Sequence, residues 1–361
     1  MAMLYTPGFQ FSFSALSEAK IIPVDAFTEK IIQIFQNWYR GEAFYLNTSG
    51  STGAPKPIRL HPEAMRASVM QSAKAFGLKK GDTLFCCLST EHIAGLMMVI
   101  RAIVLEADLV VIPPESTPFK TLSQFNKNID FAALVPLQLE DAMQFEGINL
   151  LKAIIIGGAP LNTWQRAMVK TLKVPAFQTY GMTETYTHVA IRPLNGEKSS
   201  ELYQALDGIS FSTDSNHRLK IHAPALLIPE MQTNDVVNLK DAHHFEWLGR
   251  FDNVINSGGI KISLERMEES VELVFHQLNM KPIAIFAQGM KDERLGERLV
   301  LYLESEPWTE EIRSYFEEAL KKELNNYFMP KEFIFIPKFE RTSLGKIDKI
   351  NTLKNNNKYT Y

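Results

Sequence analysis

Three short segments carry residue types suited to chemistry on a phosphorylated substrate. The first, Tyr45-Leu46-Asn47-Thr48-Ser49-Gly50-Ser51-Thr52-Gly53-Ala54-Pro55-Lys56, combines glycines and hydroxyl residues and ends in a lysine. In such a loop the backbone N–H groups can turn inward on a polyanion, the hydroxyls add donors, and Lys56 supplies a point charge. It reads as a triphosphate cradle, although the Gly-x-x-x-x-Gly-Lys-Ser/Thr spacing of a Walker loop is absent. The second segment is Gly157-Gly158-Ala159-Pro160. The third is Gln178-Thr179-Tyr180-Gly181-Met182-Thr183-Glu184. A carboxylate such as Glu184 suits Mg²⁺, a hard cation that takes oxygen ligands and shares them with substrate phosphates.

Each segment follows a short apolar run. The runs at 43–46, 83–88, 109–112, 131–135, 153–156 and 176–180 read as strands, alternating with helical patterns at 62–76 and 161–173. Apolar runs buried on both faces and separated by helices point to a mostly parallel α/β sheet, and ligands bind beyond the carboxyl ends of such strands. After Gly249 the texture changes. An amphipathic helix at 264–278, strands at 282–287 and 299–303, and a helix at 309–324 predict a smaller α+β domain. The expected division is a large α/β domain at 1–252 and a C-terminal domain at 253–361, with a frayed Asn/Lys-rich tail.

The 361 residues suit two domains at roughly 150 residues each. With 45% hydrophobic and 22% charged residues the chain has ordinary globular composition, which excludes a fibrous or mostly disordered class. Against 41 Asp and Glu, 38 Lys and Arg leave a net charge of -3, so no global basic field exists to hold nucleic acid or anionic lipid. The only cysteines, Cys86 and Cys87, are adjacent in an apolar run. They read as buried free thiols in a reducing cytosol, since a bridge between sequence neighbours would be strained and would staple no loop. No signal peptide is visible. The apolar stretch from Ile93 is interrupted by Arg101 and Glu106, short of the ~18 residues that a membrane span needs.

Taken together, the motifs resemble those of the adenylate-forming superfamily of acyl-CoA synthetases, peptide-synthetase adenylation domains and luciferases. The 48–57 loop departs from that family's signature only at Pro57, where the family has glycine. Tyr180, Gly181, Thr183 and Glu184 match its Tyr-Gly-x-Thr-Glu motif. Gly249-Arg250-Phe251-Asp252 with Ile255 and Gly259 resembles its hinge motif, and Arg341-Thr342-Ser343-Leu344-Gly345-Lys346 its C-terminal lysine motif. The resemblance runs from about residue 43 to 350. It implies two half-reactions: a carboxylate attacks the α-phosphate of Mg·ATP to give an acyl-adenylate and pyrophosphate, and a thiol such as that of CoA then expels AMP.

Residue by residue, the resemblance implies that Thr48, Ser49, Gly50, Ser51, Thr52, Gly53 and Lys56 cradle the β- and γ-phosphates. Thr183 would touch the α-phosphate and Glu184 would bind Mg²⁺, while Gly157, Gly158, Ala159, Tyr180 and Gly181 would flank adenine. Asp235 would accept the ribose hydroxyls, assisted by Arg250, although Asn234 replaces the glycine usual before it. Lys346 would bridge carboxylate and α-phosphate electrostatically. Asp252 would be the hinge about which a mobile C-terminal lid rotates, bringing Ser257, Gly258 and Gly259 to the thiol tunnel. The next segment departs from the family pattern at Leu264 and Arg266 and leaves Glu268 as the match. With the loop beginning at Thr48, the expectation is a large domain trimmed at its N-terminus.

For the acid, His92-Ile93-Ala94-Gly95 resembles the family's His-x-x-Gly segment beside the acyl pocket, making His92 and Gly95 candidates on the substrate side. His188, four residues after Glu184, is expected on a helical or turn continuation lining the same pocket. Paired histidines with Arg192 nearby suit an acid bearing a second carboxylate. Short members with these features look most like o-succinylbenzoate–CoA ligases of menaquinone synthesis. Other readings are another aryl- or acyl-CoA synthetase, a ligase loading a carrier protein, or a nucleotide-binding protein without turnover. The expected partners are a small carboxylic acid, ATP and CoA, in the cytoplasm, and the sequence leaves open a homodimer and whether a second subunit completes the shortened pocket wall. The implied role of Lys346 predicts that Lys346→Ala lowers pyrophosphate release far more than it lowers ATP affinity. Equal loss of both would contradict the role.

Overall fold

The computed structural model describes residues 2–17, 25–47, 57–159, 161–324, 328–341 and 347–356. The chain divides into two compact units, Met1–Ser212 with Lys220–Gln232 and Leu239–Glu246, and Thr213–Leu219 with Thr233–Asn238 and Trp247–Tyr361. Long strands such as Ile228–Asp241 therefore contribute residues to both.

The first unit is an α/β layer structure around one sheet. Within a 13-stranded sheet, nine neighbouring strands run in the order Tyr203–Ala205, His188–Pro193, Ala176–Gly181, Ala153–Ile156, Phe131–Leu134, Thr83–Cys86, Asp108–Val111, Met3–Thr6 and Phe9–Ser12, the last at an edge, and Tyr203–Ala205 pairs on its other side with His244–Arg250. The six from Ala176–Gly181 to Met3–Thr6 are mutually parallel, with registers such as Leu84↔Phe131, Ala132↔Ile154 and Ile155↔Phe177. The inner four, Ala153–Ile156, Phe131–Leu134, Thr83–Cys86 and Asp108–Val111, are mostly apolar without alternation because both faces are covered. Phe85, Ala132, Leu134, Ile154 and Ile156 join one core with Phe119, Leu139, Leu161 and Val169. Phe131 faces the other way, its ring 5.3 Å from that of Phe76.

Phe76 ends the helix Pro62–Phe76, which opens with proline at its first turn and closes on Gly77 in the left-handed conformation, φ 66°. Met65, Val69, Ser72 and Phe76 form its buried stripe at helical spacing. The helix Ile93–Leu105 is buried at every position from Gly95 to Ile103, as its all-round apolarity requires. Among the described residues no helix is long and apolar enough to cross a membrane. Cys86 and Cys87 are buried free thiols, and burial pushes the Cys86 thiol up to about 11. The helix expected at 161–173 is shorter, Thr163–Lys170, because Asn162 and Gln165 form a capping box that fixes its start.

In the second unit, Ile260–Ser263, Val254–Ser257, Gly296–Glu304 and Ile285–Asp292 make an antiparallel sheet, and Glu332–Ile336 adds parallel to Gly296–Glu304. Leu299, Leu301 and Leu303 pack with Val271, Phe275, Phe316 and Leu320 of the helices Leu264–Gln277 and Glu310–Glu323. The alternate residues Val300 and Tyr302 pack with Phe286, Ile334 and Phe339 on the opposite face. The strand expected at 282–287 begins later, at Ile285, since Pro282 has no N–H to give a ladder.

Gly95 shows how tightly the first unit closes. A Cβ there would lie inside 3.0 Å of the Ser89 and Leu88 carbonyl oxygens, both backbone atoms that cannot rotate away. Gly95→Ala is expected to lower stability by about 2–3 kcal/mol. Gly77→Ala, where space is open and only the positive φ is strained, is expected to cost about 1 kcal/mol. Urea midpoints measure both, and an unchanged Gly95→Ala midpoint would contradict the packing.

Candidate active site

At the carboxyl ends of the central strands, small residues let backbone segments converge. After Ala153–Ile156 the chain turns through Gly157 and Gly158, where Gly158 has φ 84° and the Gly157 N–H donates to the Leu134 carbonyl at 3.0 Å. A Cβ on Gly157 would collide with the Thr179 hydroxyl, and one on Gly181 with the Thr187 carbonyl. Thr183–Thr185 then forms one 3-10 turn. Its anchor is Thr185, a buried residue that reading the sequence did not single out. The Thr185 Oγ1 accepts from Met182 N at 2.9 Å and donates to the Thr187 carbonyl at 2.6 Å. Tyr186 closes the turn at φ 62°, a strained value for a side chain of its size. Glu184 is held outward, exposed, with no hydrogen bond or ion pair among the described residues.

Beside this turn lies a cavity of about 160 Å³. Ile93, Val135, Gly157, Thr179 and Met182 line it together with two buried ionisable groups, Arg101 and His188. His188 starts a strand rather than continuing a turn or helix, because after Tyr186 the chain reverses and pairs antiparallel with Ala176–Gly181. A register shift between His188 and Ala190 re-aims its side chain. The His188 Nε2 meets the Ser72 hydroxyl at 3.1 Å and Nδ1 the Thr187 hydroxyl at 3.3 Å. Burial first, and the neighbouring Arg101 charge second, push His188 down to about 3.

Other residues singled out from the sequence fall in different places. Ile93 and Ala94 line the cavity, whereas His92 is exposed at the helix start with no side-chain capping bond. Arg192 is engaged elsewhere: its guanidinium donates to Glu201 Oε2 at 2.8 Å and to Gln178 and stacks over Tyr203. Tyr180 is half-buried and edge-on to Phe245 at 5.2 Å, with Gly158 and Ala159 exposed. Thr48, Ser49, Gly50, Ser51, Thr52, Gly53 and Lys56 lie outside the described residues, between the paired strands Phe44–Asn47 and Pro57–Leu60. Lys346 also lies outside them. Arg341, on the near side of that segment, bridges to Ile347 and grips Glu304 with two bonds of 2.8 Å.

Within the second unit, Asp235 is buried and accepts from Trp247 Nε1 at 3.2 Å, a partner that no motif signals. Asn234, standing where glycine was expected, donates to Asp252 Oδ2 at 3.0 Å. Arg250 and Asp252 are exposed. Ser257 is buried, and Gly258 and Gly259 follow at φ 60° and 85°, values that favour glycine.

Folded His188 stays neutral down to about pH 3, whereas in the unfolded chain it protonates near pH 6.5. Between those values the unfolded state binds the extra proton, so this histidine lowers stability as pH falls from about 6.5. His188→Gln should therefore lose less stability than the parent between pH 7 and 4, by up to about 1.4 kcal/mol per pH unit. Parallel denaturation-versus-pH curves would contradict this.

Residues 40–208 match the family model of AMP-binding enzymes. The 2-succinylbenzoate–CoA ligase of Listeria monocytogenes is 24% identical over 334 residues, 86% of this chain and 69% of that protein. The enzyme of the same name from Bacillus cereus strain Q1 is 24% identical over 91% of this chain and 75% of its own. Among solved structures, o-succinylbenzoate CoA synthetase from Bacillus subtilis, in complex with its acyl-adenylate intermediate OSB-AMP, shares the fold. Its TM-score is 0.65 at 20% identity, covering 86% of this chain and 68% of that one. An acyl-CoA synthetase (AMP-forming)/AMP-acid ligase II-like protein from Dyadobacter fermentans superposes with a TM-score of 0.64 at 35% identity, covering 94% of this chain and 97% of that one. Similarity at that level over nearly the whole of both chains places this protein in the AMP-binding enzyme family.

Proposed function

We propose that the protein activates a carboxylic acid with ATP and transfers the acyl group to CoA, and that the acid is o-succinylbenzoate. The observation that carries this reading is the placement, on one sheet edge, of the outward Thr183–Glu184 turn next to a cavity bearing buried cationic and imidazole groups. The names of the curated relatives, matched over 86–91% of this chain, support the choice of acid. Cys86 and Cys87, both buried free thiols, agree with a reducing cytosol.

In the first step a carboxylate oxygen of the acid attacks the α-phosphorus of ATP. The bond to the bridging oxygen of the β-phosphate breaks and pyrophosphate leaves. In the second, the CoA sulfur attacks the acyl carbon, the bond to the adenylate oxygen breaks, and AMP leaves. Thr183 hydrogen-bonds the α-phosphate. Glu184, a lone exposed carboxylate, fits Mg²⁺ held jointly by one protein ligand, phosphate oxygens and water. Among the described residues no group of three His, Cys, Asp or Glu side chains could hold a metal without such help. The ion neutralises phosphate charge when bound. The loop at 48–56 holds the outer phosphates, Asp235 and Arg250 the ribose, and Tyr180 the adenine. Lys346 bridges the attacking carboxylate and the phosphate, which makes the reaction depend chiefly on electrostatic placement.

Pyrophosphate release measured across a panel of acids with ATP, Mg²⁺ and CoA tests the reading. The expected order is o-succinylbenzoate well above benzoate and medium-chain fatty acids in kcat/KM, with Glu184→Gln at least tenfold slower at limiting Mg²⁺. An equal or higher kcat/KM for a simple fatty acid would overturn the choice of acid. No pyrophosphate from any acid would overturn the activity.

A further inference from the structure

Asp235 is 6% exposed on the strand Ile228–Asp241, and an indole rests on its carboxylate. Trp247 Nε1 donates to Asp235 Oδ1 at 3.2 Å from the neighbouring strand His244–Arg250. The main chain is fixed on both sides of this bond. The Asp235 N–H donates to Thr233 Oγ1 at 3.1 Å, and that hydroxyl donates to the Leu219 carbonyl at 2.9 Å. On the other strand the Trp247 carbonyl accepts from Arg266 Nη2 at 2.7 Å. Arg266 stands in the first turn of the helix Leu264–Gln277, and its N–H donates to the capping Ser263 hydroxyl at 3.2 Å. All these residues belong to the second unit.

Two positions where the chain departs from the family pattern border the Trp247–Asp235 bond. Arg266 is one. The other is Asn234, next to Asp235, which donates to Asp252 Oδ2 at 3.0 Å. The surroundings of this carboxylate are therefore this chain's own. A carboxylate that receives two ribose hydroxyls must present its plane to both, yet the terminal torsion of an aspartate has only a broad preference. A donor held on one oxygen sets that plane before the nucleotide arrives and reduces the ordering that binding would otherwise require. An indole N–H suits this task because it donates and cannot accept, and because it is neutral. It leaves the carboxylate a pure acceptor with its charge intact, and an ionised carboxylate has about four acceptor sites, enough for the indole and two hydroxyls together.

We infer that Trp247, seated by Arg266, is the positioning residue for Asp235, and that this pair sets the selectivity of the protein for nucleotides that carry both ribose hydroxyls. The inference rests on the ribose role proposed for Asp235 and deepens it by naming the residues through which that role is set.

The test is isothermal titration with ATP and with 2′,3′-dideoxy-ATP, which differ only in the two hydroxyls. No acid is needed, so the outcome is independent of which acid the protein activates. The parent is expected to bind ATP at least tenfold more tightly than the dideoxy nucleotide. Trp247→Phe keeps an aromatic ring and loses the N–H. It should weaken ATP about three- to tenfold, the worth of one net hydrogen bond, and the dideoxy nucleotide less than twofold. Arg266→Met should lower the ratio in the same direction by a smaller factor, and Arg266→Lys should regain part of it. In Asp235→Asn the ratio should collapse. Adding Trp247→Phe to that variant should shift ATP affinity less than twofold, because a residue acting only through Asp235 then has nothing left to position. The ratio is taken within one protein sample, so a fraction that fails to fold cancels. Equal weakening of both nucleotides, an unchanged ratio in Trp247→Phe or Arg266→Met, or losses that simply add in the double variant would overturn the inference. If Asp235→Asn collapses the ratio while Trp247→Phe leaves it intact, the ribose role stands and the inference falls. If Asp235→Asn leaves the ratio intact, both fall.

Discussion

Close backbone approach at three glycines is the constraint on which the rest of the first unit depends. Gly95, Gly157 and Gly181 each sit where a Cβ would strike a neighbouring carbonyl or hydroxyl. Because those contacts are made by atoms on different segments, the start of the Ile93–Leu105 helix, the turn after Ile156 and the turn after Gly181 converge on one edge of the sheet. The cavity is the space left between them, and its walls are partly backbone. Parallel strands make this economical, since all their carboxyl ends lie on the same edge and their loops need only be short. Thr185 then completes the arrangement, tying down one turn so that Thr183 and Glu184 face away from the core.

Electrostatics adds a second layer to this steric frame. The unit buries two arginines and handles them differently. Arg192 is given a carboxylate and an amide, so its charge is spent within the protein. Arg101 is surrounded by a hydroxyl, a thioether and an aromatic face, which soften the loss of water without cancelling the charge. The same field helps keep His188 neutral, so the cavity holds one positive charge rather than two. A net single charge in a largely apolar pocket favours an anion with an apolar body, and an aryl carboxylate has both parts.

Much of this was legible in the sequence, and for physical reasons. Apolar runs buried on both faces are hard to mistake, and the run at 153–156 coincides with the strand Ala153–Ile156. The family resemblance rested on contiguous motifs, each a strand end followed by small residues, and such local signals survive without knowledge of packing. What depended on non-local contacts was not legible. His188 reads as a turn residue until the antiparallel pairing with Ala176–Gly181 is seen. Arg101 stood out in the sequence only as a charge interrupting an apolar helix, whereas Arg192, nearer the motif, drew the role of second-carboxylate partner. Only the fold shows which of the two is already paired. Likewise Trp247 is joined to Asp235 through strand neighbours 12 residues apart, a relation that no spacing rule predicts.

The account therefore turns on where the acyl-adenylate sits. A crystal structure of the protein with a stable acyl-adenylate mimic of o-succinylbenzoate measures that placement directly. The account predicts the aryl group inside the cavity beside His188, and both ribose hydroxyls within about 3 Å of the Asp235 carboxylate, with Trp247 still on it. An aryl group bound outside the cavity, or a ribose turned away from Asp235, would contradict it.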